Sequence, residues 1–343
     1  MKKIITILVG VLVFASCSPE RGYMGKAYNE PVYDPGDQGL HGFHYNRAEW
    51  LYFTGIIETS DGKKLGYEVT IFQTSYTERF TGKFVYAGHV AVSDPAIPGH
   101  FKKEIISLPA TAWPVQLGTP EVTINGVSYS AEGSGFKISV DSDEIKLDLD
   151  LGISGPILPH GEDGLVTMGD GKQSGYYSYT DLTTTGTIYY NGAEHNVVSG
   201  RTWMDHQWGN FWLDGMHWDW FSVRLDGGGE LMLFHFRGAG QETVRASWTY
   251  RDAAGQVRYG TDCTVSSRRT WRDDKGKATY PLDWTLTIPE LGASLDVATV
   301  FDEQRFYDAI TPSYWEGWCT ATGTIGGKSA GGETYVELTF YKD

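Results

Sequence analysis

The residues best suited to chemistry in this 343-residue chain lie at positions 200–209, which read Gly-Arg-Thr-Trp-Met-Asp-His-Gln-Trp-Gly. An acid and an imidazole, Asp205 and His206, stand there between large apolar side chains. Removal from water disfavours a charged carboxylate, so such surroundings raise the pKa of an aspartic acid. Asp205 is therefore the candidate general acid, a carboxyl group that keeps its proton near neutral pH.

The alternation of side chains along a strand decides which neighbours Asp205 has. In a regular strand Asp205 shares a face with Trp203 and Gln207, while His206 shares the opposite face with Trp208. The two catalytic candidates, Asp205 and His206, contact each other only if a β-bulge intervenes. We expect His206 to orient Asp205 or to shuttle its proton. The alternative is a buried Asp-His pair with a structural role alone.

Protonation of an unactivated double bond creates a carbocation, which a neutral carboxylic acid in an apolar wall can generate and aromatic faces can stabilise. Residues 217–220, His-Trp-Asp-Trp, supply further rings. Trp208 and Trp220 are the rings that we expect to face the cation. The side chains that we expect to bind substrate are Trp50, Tyr52, Tyr177, Trp203, Gln207, Trp208, Trp218 and Trp220.

A metal site is a second interpretation of the same acids and imidazoles. His217 and Asp219 share one face of a regular strand, as two ligands of a facial triad would, and Asp205 and His206 could complete the set. Isolated His and Asp residues among Trp are more often packed core residues. We therefore expect neither a metal nor any other cofactor.

Composition and charge exclude several classes of protein. Asp and Glu number 43 against 28 Lys and Arg, for a net charge of -15. A surface this acidic repels phosphate backbones, so we expect no nucleic-acid partner. The sequence also contains no His-Glu-x-x-His, Walker or Cys-x-x-Cys motif, which leaves zinc hydrolases and P-loop enzymes without support.

The elements that must position these residues are strands. The chain has 43 Gly, 12 Trp, 21 Tyr and 15 Phe, and apolar periodicity typical of helices is almost absent. Tight-turn dipeptides lie between β-branched or aromatic runs at Asp61-Gly62, Asn125-Gly126, Asn191-Gly192 and Asp226-Gly227. Such dipeptides favour two-residue β-hairpins. The sequence therefore predicts an all-β protein.

An internal echo predicts two similar β-domains. Each copy has an aromatic strand, a tight turn, a returning strand and a closing strand, at residues 50–53, 61–62, 65–72 and 179–183 and again at 218–221, 226–227, 231–236 and 335–339. Antiparallel sheets of this size avoid exposed edges by closing, so we expect barrels. The boundary is expected near residues 191–199, and we place it between residues 195 and 196.

The N-terminus resembles a bacterial lipoprotein signal. Lys2 and Lys3 precede a short apolar run at residues 4–14 and then Ala-Ser-Cys, a pattern typical of export and too short for a membrane anchor. We expect a signal peptide over residues 1–17, a lipid on Cys17 and a tether over residues 18–41. The protein would then be attached to a membrane of the bacterial cell envelope, at its periplasmic or surface face. The alternative is an ordinary signal peptide.

Only two further cysteines, Cys263 and Cys319, are present. In an exported protein they could form a disulfide, and they could equally remain two free thiols.

Five motifs together resemble a known family. They are residues 49–55, 89–94, 175–178, 200–209 and 218–221, and they occur in the family's order. The chain resembles the carotenoid 1,2-hydratase (hydroxyneurosporene synthase) and AttH-like lipocalin family over residues 42–341. Asp-His-Gln-Trp-Gly at residues 205–209 is the most specific part of the resemblance. Leu51 stands where the family has a second Trp, which bears on substrate identity more than on fold.

The resemblance implies two lipocalin-like (calycin) antiparallel β-barrels packed together, over residues 42–195 and 196–343, with a hydrophobic pocket near their junction. Family activities include the addition of water to a terminal isoprenoid double bond, and fungal relatives act on polyketide-like skeletons.

Two functions from different classes follow. The first is a hydratase- or isomerase-type enzyme that acts on a hydrophobic isoprenoid- or polyene-like substrate by cofactor-independent acid catalysis. The second is a non-enzymatic module that binds or carries a lipophilic ligand at the cell envelope. In both, the partner is a small hydrophobic molecule.

Overall fold

The computed structural model describes residues 27–75, 84–107, 115–212, 217–273, 278–306 and 314–341. Within these ranges the chain is built from strands, and the only helical piece described is a short 3-10 turn at Pro289–Leu291. The all-β prediction is confirmed. The expected signal peptide, including Cys17, lies outside the described residues, as does the first part of the tether.

Twelve strands form the first antiparallel sheet. They are β1 (Ala48–Thr59), β2 (Lys64–Thr74), β3 (Val85–Asp94), β4 (Gly99–Ser107), β5 (Glu121–Ile124), β6 (Val127–Glu132), β7 (Gly135–Asp141), β8 (Lys146–Ile153), β9 (Leu158–Pro159), β10 (Leu165–Thr167), β11 (Gln173–Tyr190) and β12 (Ala193–Gly209). Their order is β4-β3-β2-β1-β12-β11-β8-β7-β6-β5, and β9 and β10 also pair with β11.

Nine strands form the second sheet. They are β13 (His217–Leu225), β14 (Gly229–Arg237), β15 (Thr243–Asp252), β16 (Val257–Gly260), β17 (Thr264–Arg272), β18 (Thr279–Ile288), β19 (Ala293–Thr299), β20 (Tyr314–Ile325) and β21 (Lys328–Thr339). Their order is β16-β15-β14-β13-β21-β20-β19-β18-β17.

The two sheets share one topology. The β1–β2 and β13–β14 hairpins, which carry the repeated aromatic pattern, occupy equivalent places in the two strand orders. The echo between residues 179–183 and 335–339 does not follow this equivalence, because residues 179–183 lie in β11 whereas the counterpart of β21 is β12. The similar aromatic sequences of β11 and β21 therefore predicted the wrong equivalence between strands.

The sheet changes later in the chain than the boundary we placed between residues 195 and 196. That position falls inside β12, which runs from Ala193 to Gly209 within the first sheet. Asn191 and Gly192 form a hairpin turn between β11 and β12, with φ values of 48° and 79°. A tight-turn dipeptide has the same sequence whether it joins two strands of one sheet or strands of two sheets, so it could not locate the boundary. The chain passes from the first sheet to the second between residues 209 and 217.

Each lipocalin-like sheet encloses an apolar core, and a third apolar cluster lies between the sheets. The first sheet curls strongly, since a Cβ atom on Gly88 of β3 would lie 3.5 Å from Ile124 of β5, at the far end of the strand order. The segment before β1 fills part of this barrel, because Leu40, Phe43 and Tyr45 are buried in the first core.

Cys263 and Cys319 are free thiols, which resolves the alternative that the sequence left open. Among the described residues, none forms a helix of the length and apolarity needed to cross a lipid bilayer.

Candidate functional site

The regular course of β12 places Asp205 and His206 on opposite faces. Asp205 lies opposite Tyr52 of β1, and His206 lies opposite Leu51. The bulges in the pairing of β12 with β1 and β11 occur elsewhere, so the alternation is unbroken at these two residues. Asp205 therefore faces the second sheet, while His206 faces the interior of the first barrel. The expected partnership of His206 with Asp205 is wrong for this reason.

Three hydrogen-bond donors surround the buried carboxylate of Asp205. The Trp203 indole N–H donates to Oδ1 over 2.6 Å, and the Tyr176 hydroxyl donates to Oδ2 over 2.7 Å. The Ser178 hydroxyl also donates to Oδ1. Asp205 itself is 3% exposed. The carboxyl group thus has a fixed orientation, with both oxygens hydrogen-bonded.

Burial dominates the acidity of this group. It raises the pKa of Asp205 from 3.8 to about 7, although the hydrogen bonds from Ser178, Tyr176 and Trp203 favour the ionised form and lower it. A carboxylic acid of this pKa is present in both protonation states near neutral pH. It can therefore act as an acid and be reprotonated from solvent.

Aromatic rings from both sheets form what we call the inter-sheet layer around Asp205. The Trp220 indole N–H donates to the Tyr176 oxygen over 3.0 Å, which links the second sheet to the carboxylate. The Trp220 ring also packs edge-on against Tyr52 and Trp203, with centroids 5.2 and 6.3 Å apart. The buried members of the layer are Ala48, Tyr52, Ile56, Val166, Met168, Tyr176, Trp203, Phe211, Trp218, Trp220, Met232, Phe234, Phe236, Trp318 and Tyr335.

A buried histidine that sequence reasoning missed supports Ser178. His160 Nε2 lies 2.6 Å from Ser178 Oγ, and its ring centroid lies 4.0 Å from that of Tyr176. Burial lowers the pKa of His160 to about 3, so the imidazole is neutral. The hydroxyl lies between the imidazole and the carboxylate, whereas in a nucleophilic triad the imidazole lies between the other two. His160 therefore positions Ser178 rather than activating it.

Residues 327–331 have the sequence Gly-x-Ser-x-Gly, the motif of the nucleophile elbow in serine hydrolases. It lies at the turn between β20 and β21, and Ser329 is exposed in an antiparallel hairpin. A nucleophile elbow requires a strand-to-helix turn, so this segment is not a hydrolase site.

A second carboxylate in the inter-sheet layer was also missed. Glu337 of β21 accepts a hydrogen bond from the Trp218 indole N–H over 2.7 Å. It lies opposite Trp220, just as Asp205 lies opposite Tyr52, and the echo matches Tyr52 with Trp220. Glu337 could have been found from the sequence by extending the equivalence of the two hairpins to the strands that pair with them, since this makes Glu337 the counterpart of Asp205.

The interior of the first barrel holds a separate polar trio. His44 Nδ1 and His206 Nε2 each lie 2.7 Å from Oε1 of Glu49. These three ligand atoms lie within 4.8 Å of one another, a spacing that could hold a divalent metal. The Tyr177 hydroxyl lies 3.0 Å from His206 Nδ1 and 2.7 Å from His41 Nδ1. The contacts of the trio fasten the segment before β1 across the barrel.

The four residues of the metal interpretation do not converge. His217 stacks on Phe340 with centroids 5.3 Å apart. Asp219 accepts one hydrogen bond from Arg237 over 3.1 Å, and its other oxygen lies 3.1 Å from Nδ1 of His235. Asp205 and His206 lie on opposite faces of β12, as described above.

The predicted binding residues divide between the two faces. Those in or against the inter-sheet layer are Trp50, Tyr52, Trp203, Gln207, Trp218 and Trp220. Tyr177 and Trp208 instead belong to the first barrel core, where Trp208 stacks on His44 at 4.4 Å. Strand alternation separates these two from Asp205, so Trp208 cannot be a ring that faces a cation formed there.

A cleft of about 250 Å³ borders the inter-sheet layer. Val166 and Met232 belong to both the layer and the cleft wall, which also includes Ser247, Trp248 and Tyr259. The cleft lies between the β9–β11 region of the first sheet and β15 and β16 of the second, so it is an opening between the sheets.

Comparison with known protein families shows to which family the chain belongs. The model of the family described as AttH-like matches residues 29–341. The chain belongs to the AttH-like family. A solved structure of a putative AttH from Nitrosomonas europaea is 30% identical to this AttH-like protein, with a TM-score of 0.80 over 91% of this chain and 98% of that chain. The AttH-like part of the resemblance is thereby confirmed.

Three further matches are to proteins named as hydratases or dehydratases. A crystal structure of kievitone hydratase from Nectria haematococca is 17% identical, with a TM-score of 0.73 over 92% of this chain and 97% of that chain, and shows the shared fold. The sequence is 23% identical over 193 residues to the dehydratase asqC of Emericella nidulans, covering 53% of this chain and 55% of that protein. It is 24% identical over 164 residues to kievitone hydratase of Fusarium solani subsp. phaseoli, covering 46% of each. The AttH-like chain spans about half the length of the curated relatives it matches.

Proposed function

We propose that this AttH-like protein is a hydratase- or isomerase-type enzyme, most simply a hydro-lyase, that acts on a hydrophobic isoprenoid- or polyene-like substrate with Asp205 as general acid and without a cofactor. The observation that carries the proposal is the buried Asp205 carboxyl, with a pKa of about 7, among indole rings between the two sheets. The named hydratase and dehydratase relatives support the reaction class.

The chemistry requires an acid and a surface that tolerates positive charge. The Asp205 proton would add to one alkene carbon and leave a carbocation on the other, which Trp203 and Trp220 are placed to stabilise through their ring faces. The Tyr176 hydroxyl, held between Asp205 and Trp220, would orient the carboxyl group. Substrate would enter through the cleft beside Val166 and Met232.

The test uses geraniol, a short alcohol with a terminal isoprenoid double bond, together with any apolar compound that copurifies with the protein. Incubation in H₂¹⁸O followed by mass spectrometry measures water addition. We expect Asp205→Asn, which keeps the shape and removes the acid, to lower hydration by roughly 100-fold or more. Ligand binding, measured by quenching of tryptophan fluorescence, should persist.

The matched control is Asp150→Asn, since Asp150 is a carboxylate whose side chain is 72% exposed. Near-normal hydration by Asp205→Asn would make Asp205 structural and remove the proposed acid. Tight binding without turnover by the unaltered protein would favour the alternative, a carrier of a lipophilic molecule.

We further propose that the mature protein begins at a lipid-modified Cys17 and is held at a membrane of the cell envelope. The basic start, the short apolar run and the small residues before Cys17 support this placement. Intact mass spectrometry of the mature chain tests it, and an unmodified Cys17 would contradict it.

A further inference from the structure

Glu337 occupies the position in the second sheet that Asp205 occupies in the first. Both lie on the strand that pairs with an aromatic hairpin, β21 beside β13 and β12 beside β1. The residue across the strand is Trp220 for Glu337 and Tyr52 for Asp205. The repeated topology therefore brings one carboxyl group from each sheet to the same inter-sheet layer.

The two carboxyl groups differ in how many of their oxygens are hydrogen-bonded. Both oxygens of Asp205 accept hydrogen bonds, whereas only Oε2 of Glu337 has a partner, the Trp218 indole N–H at 2.7 Å. Among the residues that the structure describes, none is hydrogen-bonded to Oε1 of Glu337. Glu337 is also partly exposed, while Asp205 is buried. Water can therefore reach the second carboxylate and be held by its unoccupied oxygen.

Side chains of the inter-sheet layer connect the two groups. Trp220, the cross-strand neighbour of Glu337, donates to the Tyr176 hydroxyl, which donates to Asp205. Burial raises the pKa of Glu337 to about 7, with further increases from the charges of Asp205 and Asp219 and a decrease from the Trp218 hydrogen bond. A base of this pKa can accept a proton at neutral pH.

A third carboxyl group faces Glu337 directly across β20 and β21. Glu316 is the cross-strand partner of Glu337 and is buried. Within the described part of the chain, neither oxygen of Glu316 has a hydrogen-bond partner. Burial, and then the charge of Glu337, raise the pKa of Glu316 well above its ordinary value. A neutral Glu316 leaves Glu337 as the member of this pair that can ionise.

We propose that Glu337 is the second acid–base residue of the site, the group that takes the proton of the attacking water while Asp205 protonates the double bond. This rests on the proposed function. In hydration, the π electrons form a C–H bond with the Asp205 proton, a water lone pair forms the C–O bond, and the released proton passes to Glu337. The net reaction is alkene plus water giving an alcohol. Exchange of the Glu337 and Asp205 protons with solvent restores both groups, and dehydration follows the same steps in reverse.

Two readouts test the role of Glu337 with the full chain and geraniol as the probe. In D₂O, Asp205 delivers a deuteron to one double-bond carbon, and the return of that carbon's proton to Asp205 restores the alkene with deuterium on that carbon, without needing the base. In H₂¹⁸O, hydration needs both groups. We expect Glu337→Gln to lower hydration by roughly 100-fold while deuterium exchange continues, and Asp205→Asn to abolish both. Glu333→Gln, on the same strand in an ion pair with Lys64, is the matched control.

The failure of each proposal has its own signature. Hydration by Glu337→Gln within twofold of the unaltered protein overturns the role of Glu337 and leaves that of Asp205 intact. Exchange that survives in Asp205→Asn overturns the proposed function. If geraniol undergoes neither reaction, that counts against the proposed function. Titration of the carboxyl groups by infrared spectroscopy then tests whether the charge of Asp205 affects Glu337. We expect Asp205→Asn to lower the apparent pKa of Glu337, and an unchanged pKa overturns the inference.

Discussion

At the scale of single residues, the acidity of Asp205 results from two opposed effects of the same burial. The position removes the carboxyl group from water, which favours the protonated form, and it also holds three donors that favour the ionised form. Desolvation is the larger effect, so the pKa lies at about 7 rather than below 4. The donors keep it from rising further, into a range where the group would never ionise.

This shift predicts how stability depends on pH. Because the folded pKa of Asp205 is raised from 3.8 to about 7, the folded state binds a proton more tightly than the unfolded chain. The stabilisation by protonated Asp205 is fully present below about pH 4, decreases as the pH rises from 4 to 7, and is absent above about pH 7. Three pKa units correspond to about 4 kcal/mol in the free energy of unfolding. Urea denaturation at pH 5 and pH 8 covers about two of these three units and should show a loss of roughly 3 kcal/mol.

The variant Asp205→Asn should make this decline smaller, since the amide does not ionise. The part of the decline that comes from Glu337, whose pKa is also about 7, should remain. Asp150→Asn, at an exposed position, should leave the decline unchanged. An Asp205→Asn protein that loses as much stability between pH 5 and pH 8 as the unaltered protein would show that Asp205 titrates as an ordinary carboxyl group.

At the scale of the elements, strand alternation separates two chemical environments only one residue apart. Odd-numbered residues at the end of β12 face the second sheet, and even-numbered residues face the first barrel core. That division was predictable from the period of a strand. The composition of each face was not, because His44 arrives from the segment before β1, while Tyr176 and Ser178 arrive from β11.

The hairpins followed from turn chemistry. Asn125-Gly126 and Asn191-Gly192 have positive φ at both residues, as type I′ turns require, and each joins two antiparallel strands. Asn and Gly adopt this conformation at low cost, so the local sequence sufficed. The sheet to which each hairpin belongs depends on distant pairings, so the boundary placed between residues 195 and 196 fell inside β12.

The space around Gly66 shows how closely β2 approaches the second sheet. A Cβ atom at Gly66 would lie 2.5 Å from the hydroxyl of Tyr335 and 3.3 Å from Cβ of Trp318. We expect Gly66→Ala to force Tyr335 away and to lower the free energy of unfolding by roughly 1–3 kcal/mol, as measured by urea denaturation. Gly227→Ala is the control, because nothing lies within 4 Å of its added Cβ. Equal effects of the two substitutions would contradict a close approach at Gly66.

At the scale of the whole molecule, the inter-sheet layer makes one structural unit of two similar sheets. It buries Trp218, Trp220 and Tyr335 against the first sheet. Direct hydrogen bonds cross the junction as well, since Arg251 of β15 donates to Thr180 of β11 over 2.5 Å. A large apolar interface of this kind suppresses independent motion of its two sides.

We therefore expect the chain to unfold in one transition. Far-UV circular dichroism reports the strands of both sheets, and tryptophan fluorescence reports the buried indoles of both cores and the layer. The two signals should change at the same urea concentration. Two separate transitions would show that the sheets are independently stable and that the layer contributes little to their association.

The sequence by itself determined the all-β class, the hairpins, the family and the separation of Asp205 from His206, because each depends on local chemistry or on a motif contained in one segment. The tertiary structure alone decided which groups surround Asp205 and that Glu337 lies in the same layer. Asp205 and Glu337 are 132 positions apart in the sequence, and their strands belong to different sheets, so only the packing of the two sheets brings them to one layer. The acidity of both groups follows from that packing, because the meeting of the two sheets removes these carboxyl groups from water.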